Sequence, residues 1–233
     1  MDSFTNRHVV ITGGTGALGT GIVSQLLAQG ATCHVPLFRL THRDGYAFAD
    51  HERVHLGGPL NLSDEAAVQA YYESLPPLWA SIHVAGGFAM GPLTETSLDD
   101  FQRMLNMNAV TAFLCSREAV KRMRTNDHGG GRIVNIGAKP ALVPASGMIA
   151  YATSKAAVTA MTTAMSEELA SEGIWVNAVI PSVMDTPANR KGMPDADHDA
   201  WPSVADVAQT VTFLASPDNA VTRGALVPVY GHS

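Results

Sequence analysis

The sequence predicts an α/β fold, a doubly wound parallel sheet with helices on both faces, and three observations carry that expectation. Short β-branched runs alternate with longer stretches of helical apolar spacing along the whole chain. A glycine-rich turn, Gly14-Thr-Gly16-Ala-Leu-Gly19, joins the first such run to the first such stretch. The 233 residues, 46% of them apolar and 15% charged, suit one large core better than two small ones. With no internal repeat and no linker, a single domain over residues 1–233 is expected.

Each element follows in order. Arg7–Thr12 (RHVVIT) is a β-branched run stopped by glycines, hence a buried strand. Ala17–Gln29 sets Leu18, Ile22, Leu26 and Leu27 at helical spacing, and Gly30 closes the helix. Ala31–Phe38 is a second strand, with Pro36 unusual inside it. Ser63 caps a helix that carries Asp64 and Glu65 in its first turn and ends near Pro76-Pro77. Ser81–Val84 is a strand leading into Gly86-Gly87. Ser97 caps a long helix reaching about Arg124. Asp99 and Asp100 near its start, and Lys121, Arg122 and Arg124 near its end, suit the helix dipole. Gly129–Gly131 is a loop, Arg132–Ile136 a strand, Tyr151–Glu172 a helix and Trp175–Ile180 a strand. Pro181–Trp201 is polar, contains prolines and is too long for a simple connector, so a substrate lid is expected at about 181–201. Val204–Ala215 is the last helix and Ala225–Val229 the last strand.

Composition excludes several classes. A net charge of −6, a pI near 5.8 and no Lys/Arg cluster argue against nucleic-acid binding. No apolar run approaches the ~18 residues of a membrane span, and no signal-peptide run precedes the first strand, so a cytoplasmic protein is expected. Cys33 and Cys115, far apart in apolar surroundings, read as buried free thiols. The nine histidines form no acid-rich cluster of ligand type, and no metal is expected.

The glycine turn carries the first functional signal. Its glycines permit a tight turn and close backbone approach, while the helix N-terminus offers unpaired N–H groups to a pyrophosphate. An acid at the end of the second strand would bind a ribose 2′-hydroxyl, but that position falls near Leu37, followed by Phe38 and Arg39. An arginine there, with Arg43 behind it, tilts the cofactor slightly toward NADP(H) over NAD(H).

Tyr151 and Lys155, four residues apart, share one helix face. A free phenol has a pKa near ~10, and a lysine cation close by favours its ionised form. Such a pair can pass a proton to an atom that becomes basic as hydride arrives.

These residues, with TGGTGALG at Thr12–Gly19, AGG at Ala85–Gly87, Asn108 in NMNAVTAF, YATSK at Tyr151–Lys155 and VNAVIPSVMDT at Val176–Thr186, mark a resemblance. The chain resembles the short-chain dehydrogenase/reductase family over nearly its whole length, which implies a Rossmann-like sheet and a small-molecule substrate. In that family the tyrosine is the general acid/base, the lysine lowers its pKa and holds the nicotinamide ribose, and an asparagine like Asn108 positions a water. The resemblance assigns Gly13, Thr15, Gly16, Leu18 and Gly19 to the phosphate loop, with Asn61 and Leu62 at the adenine. It assigns Ala85, Gly86 and Gly87 to the adenosine ribose side, and Pro181, Val183 and Thr186 to the nicotinamide. It also implies a homodimer or homotetramer, paired through the Tyr151 and Ser97 helices, where Ala152, Ala156, Ala160 and Ala164 allow close approach.

Three positions depart from the pattern. His83-Val84 stands where the family often has Asn-Asn, Ser182 replaces a glycine, and Ala138 replaces the serine thirteen residues before the tyrosine. A donor of that kind is worth about 3–4 kcal/mol in the transition state. A conjugated carbonyl, quinonoid or C=N acceptor needs a localised donor less than a simple ketone does. The branch similar to dihydropteridine reductase also omits the serine, and the similarity extends into DTPANRKGMPDAD at Asp185–Asp197. Around Ala138, candidate substrate contacts are Phe88, Met148, Met184 and Ser146, with Met90 and Met193 as further apolar wall. Ser146, Lys139, Asn189, Arg190 and Lys191 are candidate replacement polar groups. Two rival functions stand: a dinucleotide-binding sensor or partner subunit without catalysis, and an ordinary ketone reductase or alcohol dehydrogenase with a substitute for the serine.

Overall fold

The structure, a computed structural model, describes residues 3–143 and 145–233. β1 (His8–Thr12) shows how the core is divided: alternation along HVVIT sends Val9 and Ile11 to one face of the sheet and Val10 to the other. The remaining strands are β2 (Thr32–Pro36), β3 (Val54–Gly57), β4 (Ala80–His83), β5 (Gly131–Ile136), β6 (Ile174–Pro181) and β7 (Leu226–Val229). They pair in the order β3-β2-β1-β4-β5-β6-β7, every neighbouring pair parallel. Such strands need crossovers, and the helices supply them.

On the first face α1 (Ala17–Ala28) and α7 (Val204–Ala215) bury Ile22, Leu26, Val211 and Leu214 against Val9, Ile11 and Val35. Burying a leucine such as Leu26 contributes about 2 kcal/mol. On the second face α2 (Glu65–Glu73) and α4 (Thr111–Met123) bury Val68, Tyr72, Leu114 and Met123 against Val10, Ile133 and Val176. α5 (Ile149–Glu168) packs beside them on β5 and β6. The winding reverses between β1 and β4, so the chain diverges there and opens a crevice at the carboxyl ends of the strands.

Four local features differ from the sequence reading. The cap of α2 is Asp64, whose carboxylate accepts from Ala67 N at 3.1 Å; Ser63 lies one residue outside. β3 has no counterpart in the sequence reading, because VHLG is only four residues long and lies at the edge of the sheet, paired with β2 alone among the described strands. The helix capped by Ser97 is α3 (Leu98–Met104), a π-helical stretch at Leu105–Val110, then α4. Within 181–201 a short helix, α6 (Pro187–Gly192), forms because Thr186 Oγ1 caps it and Pro187 suits its first turn.

Candidate active site

The crevice at the switch point is a cleft of about 800 Å3. Gly13, Thr15, Gly16, Leu18 and Gly19 form one wall, Asn61 and Leu62 another, and Ala85 and Gly86 the floor. No side chain caps α1 at Gly16, so its first-turn amides face the cleft without a protein acceptor from a cap. That arrangement, and a volume of the size ligand pockets take, fits a dinucleotide whose phosphates sit on the helix N-terminus. Thr12 Oγ1 accepts from Ala85 N at 3.2 Å, tying the exit of β1 to the exit of β4. At the far end the lining is Pro36, Phe38, Thr41, His42 and Asp44. Arg39 is not part of that lining; its guanidinium lies 5.4 Å from the Phe38 ring centroid. Arg43 is paired with Asp50 at 2.7 Å.

Asn108 sits on the π-helical stretch and is buried. Its Nδ2 donates to Gly87 O and to Ser154 Oγ, each at 3.0 Å, and its Oδ1 accepts from Gly87 N at 3.1 Å. Gly86 must be glycine here: a Cβ on it would strike Asn108 Oδ1 and lie 3.5 Å from Lys155 Nζ. The Lys155 ammonium therefore lies directly behind the cleft floor, donating to Ile136 O at 2.8 Å. Burial pulls its pKa down to about 8.

Tyr151 stands on the third residue of α5, and its ring meets Phe88 edge to face, centroids 5.0 Å apart. Burial pushes its phenol up to about 12. Desolvation thus outweighs any pull from Lys155, and the phenol keeps its proton at neutral pH. Phe88 itself remains 58% exposed.

Ala138, buried, closes the exit of β5 with a methyl group and no hydroxyl. Of the polar groups considered as replacements, Ser146 is exposed. Lys139 turns to the Tyr230 ring, 5.0 Å from its centroid, Asn189 Nδ2 donates to Met184 O at 2.8 Å, and Arg190 is held by both oxygens of Asp185 at 2.6 and 2.9 Å. Lys191 is exposed. Met148 precedes α5 and is half-buried; Met184 packs against the core on the α1/α7 side. Pro181 ends β6, Val183 is partly exposed, and Thr186 is buried as the cap of α6.

The chain of buried groups around His83 has no counterpart in the sequence reading. Tyr72, Ser81, His83, Asn135 and Thr162 are linked at 3.0, 2.9, 2.8 and 2.9 Å across α2, β4, β5 and α5. With Asn135 Oδ1 as acceptor, His83 donates from Nδ1 and accepts Ser81 at Nε2, a neutral ring, and burial lowers its pKa to about 4. His51 and His55, four residues apart, lie on a turn and on β3 rather than on one helix face. Among the described residues no group of three or more His, Cys, Asp or Glu is placed to hold a metal ion, and no helix is long and apolar enough to cross a membrane.

Comparison with known proteins agrees with this geometry. A family model described as short chain dehydrogenase matches residues 7–197. A 2-dehydro-3-deoxy-L-rhamnonate dehydrogenase (NAD(+)) from a Sphingomonas species is 29% identical, covering 98% of this chain and 95% of its own. The cyclic-di-GMP-binding biofilm dispersal mediator protein of Escherichia coli is 28% identical, covering 99% and 98%. Among solved structures, ElxO with NADP bound superposes with a TM-score of 0.87 at 25% identity, covering 97% of each chain. The chain belongs to the short-chain dehydrogenase/reductase family and is an NAD(P)-dependent oxidoreductase.

Proposed function

We propose that this protein reduces a small conjugated carbonyl, quinonoid or C=N acceptor, with NADP(H) preferred over NAD(H) and Tyr151 as the proton donor. The observation that carries the acceptor class is Ala138. A simple ketone concentrates its developing charge on one oxygen, and losing a donor there costs roughly 10²–10³ in rate. A delocalised acceptor spreads that charge and tolerates a methyl group in the donor's place.

The bound dinucleotide supplies the hydride. Gly13, Thr15, Gly16, Leu18 and Gly19 hold its phosphates, Asn61 and Leu62 its adenine, and Ala85–Gly87 the adjoining ribose. Arg39, outside the lining but beside Phe38 at its far end, reaches a 2′-phosphate there, next to Thr41 and His42. Pro181, Val183 and Thr186 meet the nicotinamide end, and Lys155 grips its ribose from behind Gly86. Tyr151 enters reduction already protonated, since burial holds its phenol at about 12. Its ring meets the exposed Phe88 edge to face, and Phe88 suits stacking against a planar acceptor. Met148, Met184 and Ser146 border that acceptor, residues 181–201 cover it, and the whole operates as one domain of residues 1–233.

The absent serine and the stretch Asp185–Asp197 ally the chain with the dihydropteridine reductase branch. Single-turnover mixing of the NADPH-bound protein with quinonoid dihydropterin, cyclic imines and simple ketones tests the reading. Loss of nicotinamide absorbance with the first two, and much slower loss with ketones, is expected. Ketones reacting as fast would defeat it.

A second reading is a dinucleotide-binding sensor without catalysis. Ala138 favours it, as does a relative named for binding a cyclic dinucleotide. Silence across the whole panel would favour this sensor. Ala152, Ala156, Ala160 and Ala164 along α5, partly or fully exposed, support pairing of subunits through this helix into a homodimer or homotetramer. Light scattering checks that, and a strict monomer would contradict it.

A further inference from the structure

β6 ends at Pro181, and Ser182 follows where the family pattern has glycine. Its hydroxyl is in use: Ser182 Oγ donates to Tyr230 O at 3.0 Å and lies 2.7 Å from Ser233 Oγ. Its amide donates to Val229 O at 3.3 Å, carrying the β6–β7 ladder one step past the Pro181–Val229 pair. Tyr230 also holds the Lys139 ammonium over its ring, and Lys139 follows Ala138 directly. Gly231, at φ +62°, lies against the returning arm of the 181–203 stretch, where a Cβ would sit 2.7 Å from Ala200 O and 2.8 Å from Pro202 N. His232 N donates to Ala200 O at 2.8 Å. The two arms of the stretch are themselves joined, Asp185 N to Pro202 O at 3.0 Å, with a β-bridge between Asp185 and Ser203.

Residues 230–233 therefore touch three segments that leave the carboxyl edge of the sheet: Lys139 after β5, Ser182 after β6, and Ala200–Pro202 returning to α7. A glycine after Pro181 would keep the amide bond to Val229 but lose the hydroxyl's hold on Tyr230, leaving the outgoing arm with more freedom. A serine whose hydroxyl is bound to the neighbouring strand removes that freedom before any ligand arrives.

We propose that Ser182, Tyr230 and Gly231 are positioning residues that seat the 181–203 stretch and so fix the wall met by the nicotinamide half of the dinucleotide. This rests on the cleft holding that dinucleotide as described above. None of the three touches the reacting atoms.

The test compares the wild type with Ser182→Ala, which removes the hydroxyl, and Ser182→Thr, which keeps it. Amide hydrogen exchange is followed in the free protein, and affinity is measured for NADPH, NADH and 2′-phospho-ADP-ribose, a fragment without nicotinamide. With one hydrogen bond removed, Ser182→Ala speeds exchange in 185–203 about five-fold while α1 is unchanged. It weakens the preferred dinucleotide about five-fold and the fragment less than about two-fold. Ser182→Thr restores both. Wild-type exchange and affinity in Ser182→Ala would overturn the proposal, as would equal weakening of fragment and dinucleotide. If the wild type binds neither dinucleotide, the cleft assignment falls instead, and unchanged exchange in Ser182→Ala still refutes the seat.

Discussion

Asn108 holds both backbone polar groups of Gly87, donating from Nδ2 to its carbonyl and accepting at Oδ1 from its amide. One amide side chain thus fixes the segment that leads from the cleft floor to Phe88 and Tyr151. Asn108→Ala leaves the half-buried N–H and C=O of Gly87 and the buried Ser154 hydroxyl without this partner. We expect Tm to fall by about 5–10 °C, since two or three lost hydrogen bonds amount to a few kcal/mol. Turnover should fall further than the loss of folded protein explains; calorimetry and turnover on the same sample check both.

Lys155 sets an upper pH limit. Burial lowers its pKa to about 8, so the ammonium is present below that pH and lost above it. Tyr151 stays protonated far beyond, its phenol at about 12. Reductive kcat/KM should therefore hold level at neutral pH and decline as pH rises through about 8. Lys155→Met should abolish that break and weaken dinucleotide binding. A profile flat to pH 10 (about two units past the break) would remove the lysine from the active form.

His83 sets a lower limit on stability. Its ring is neutral when folded, with a pKa near 4 against 6.5 for a free imidazole. Unfolding then takes up a proton between those values, so the contribution of His83 to stability falls as pH drops from 6.5 toward 4 and is constant above 6.5. The share of His83 is about 3 kcal/mol at full protonation. His34, lowered to about 4 by burial and by its neighbours His8 and His55, adds to the same slope. Urea unfolding at pH 7 and pH 5 should show the loss, and His83→Asn should show less of it. Equal stability at both pH values in the wild type would contradict the buried neutral rings.

Arg39 tests the cofactor preference. Arg39→Ala should weaken NADPH about ten-fold, the value of one charge-assisted contact, and leave NADH within about two-fold. If neither changes, the 2′-position is met by Thr41 or His42 from the cleft wall.

Much of this was legible in the sequence, and what was not has identifiable physical causes. The glycine turn and the amphipathic helices carry local signals, so α1 and α7 appear where expected. The cap of α2 moved by one residue because Ser63 and Asp64 are adjacent capping residues, and only Asp64 reaches the N3 amide. β3 is too short and too dependent on β2 to announce itself. The 181–201 stretch reads as loop because its helix is one capped turn and a half between prolines. At the site, Tyr151, Lys155 and Asn108 were each visible, whereas the contacts that orient them are tertiary. Phe88 against Tyr151, Lys155 behind Gly86 and Ser182 on Tyr230 each join residues far apart in the chain, the nearest pair 48 positions apart, with no periodic trace in sequence.

The proton donor is the centre of the account, and Tyr151→Phe tests it most directly. Single-turnover reduction of a conjugated acceptor by the NADPH-loaded variant should slow by about 10²–10⁴, the usual worth of a positioned acid. NADPH affinity should stay within about two-fold of wild type, because the substitution removes one hydroxyl and leaves the phosphate loop and Lys155 in place. Wild-type turnover in that variant would contradict the account.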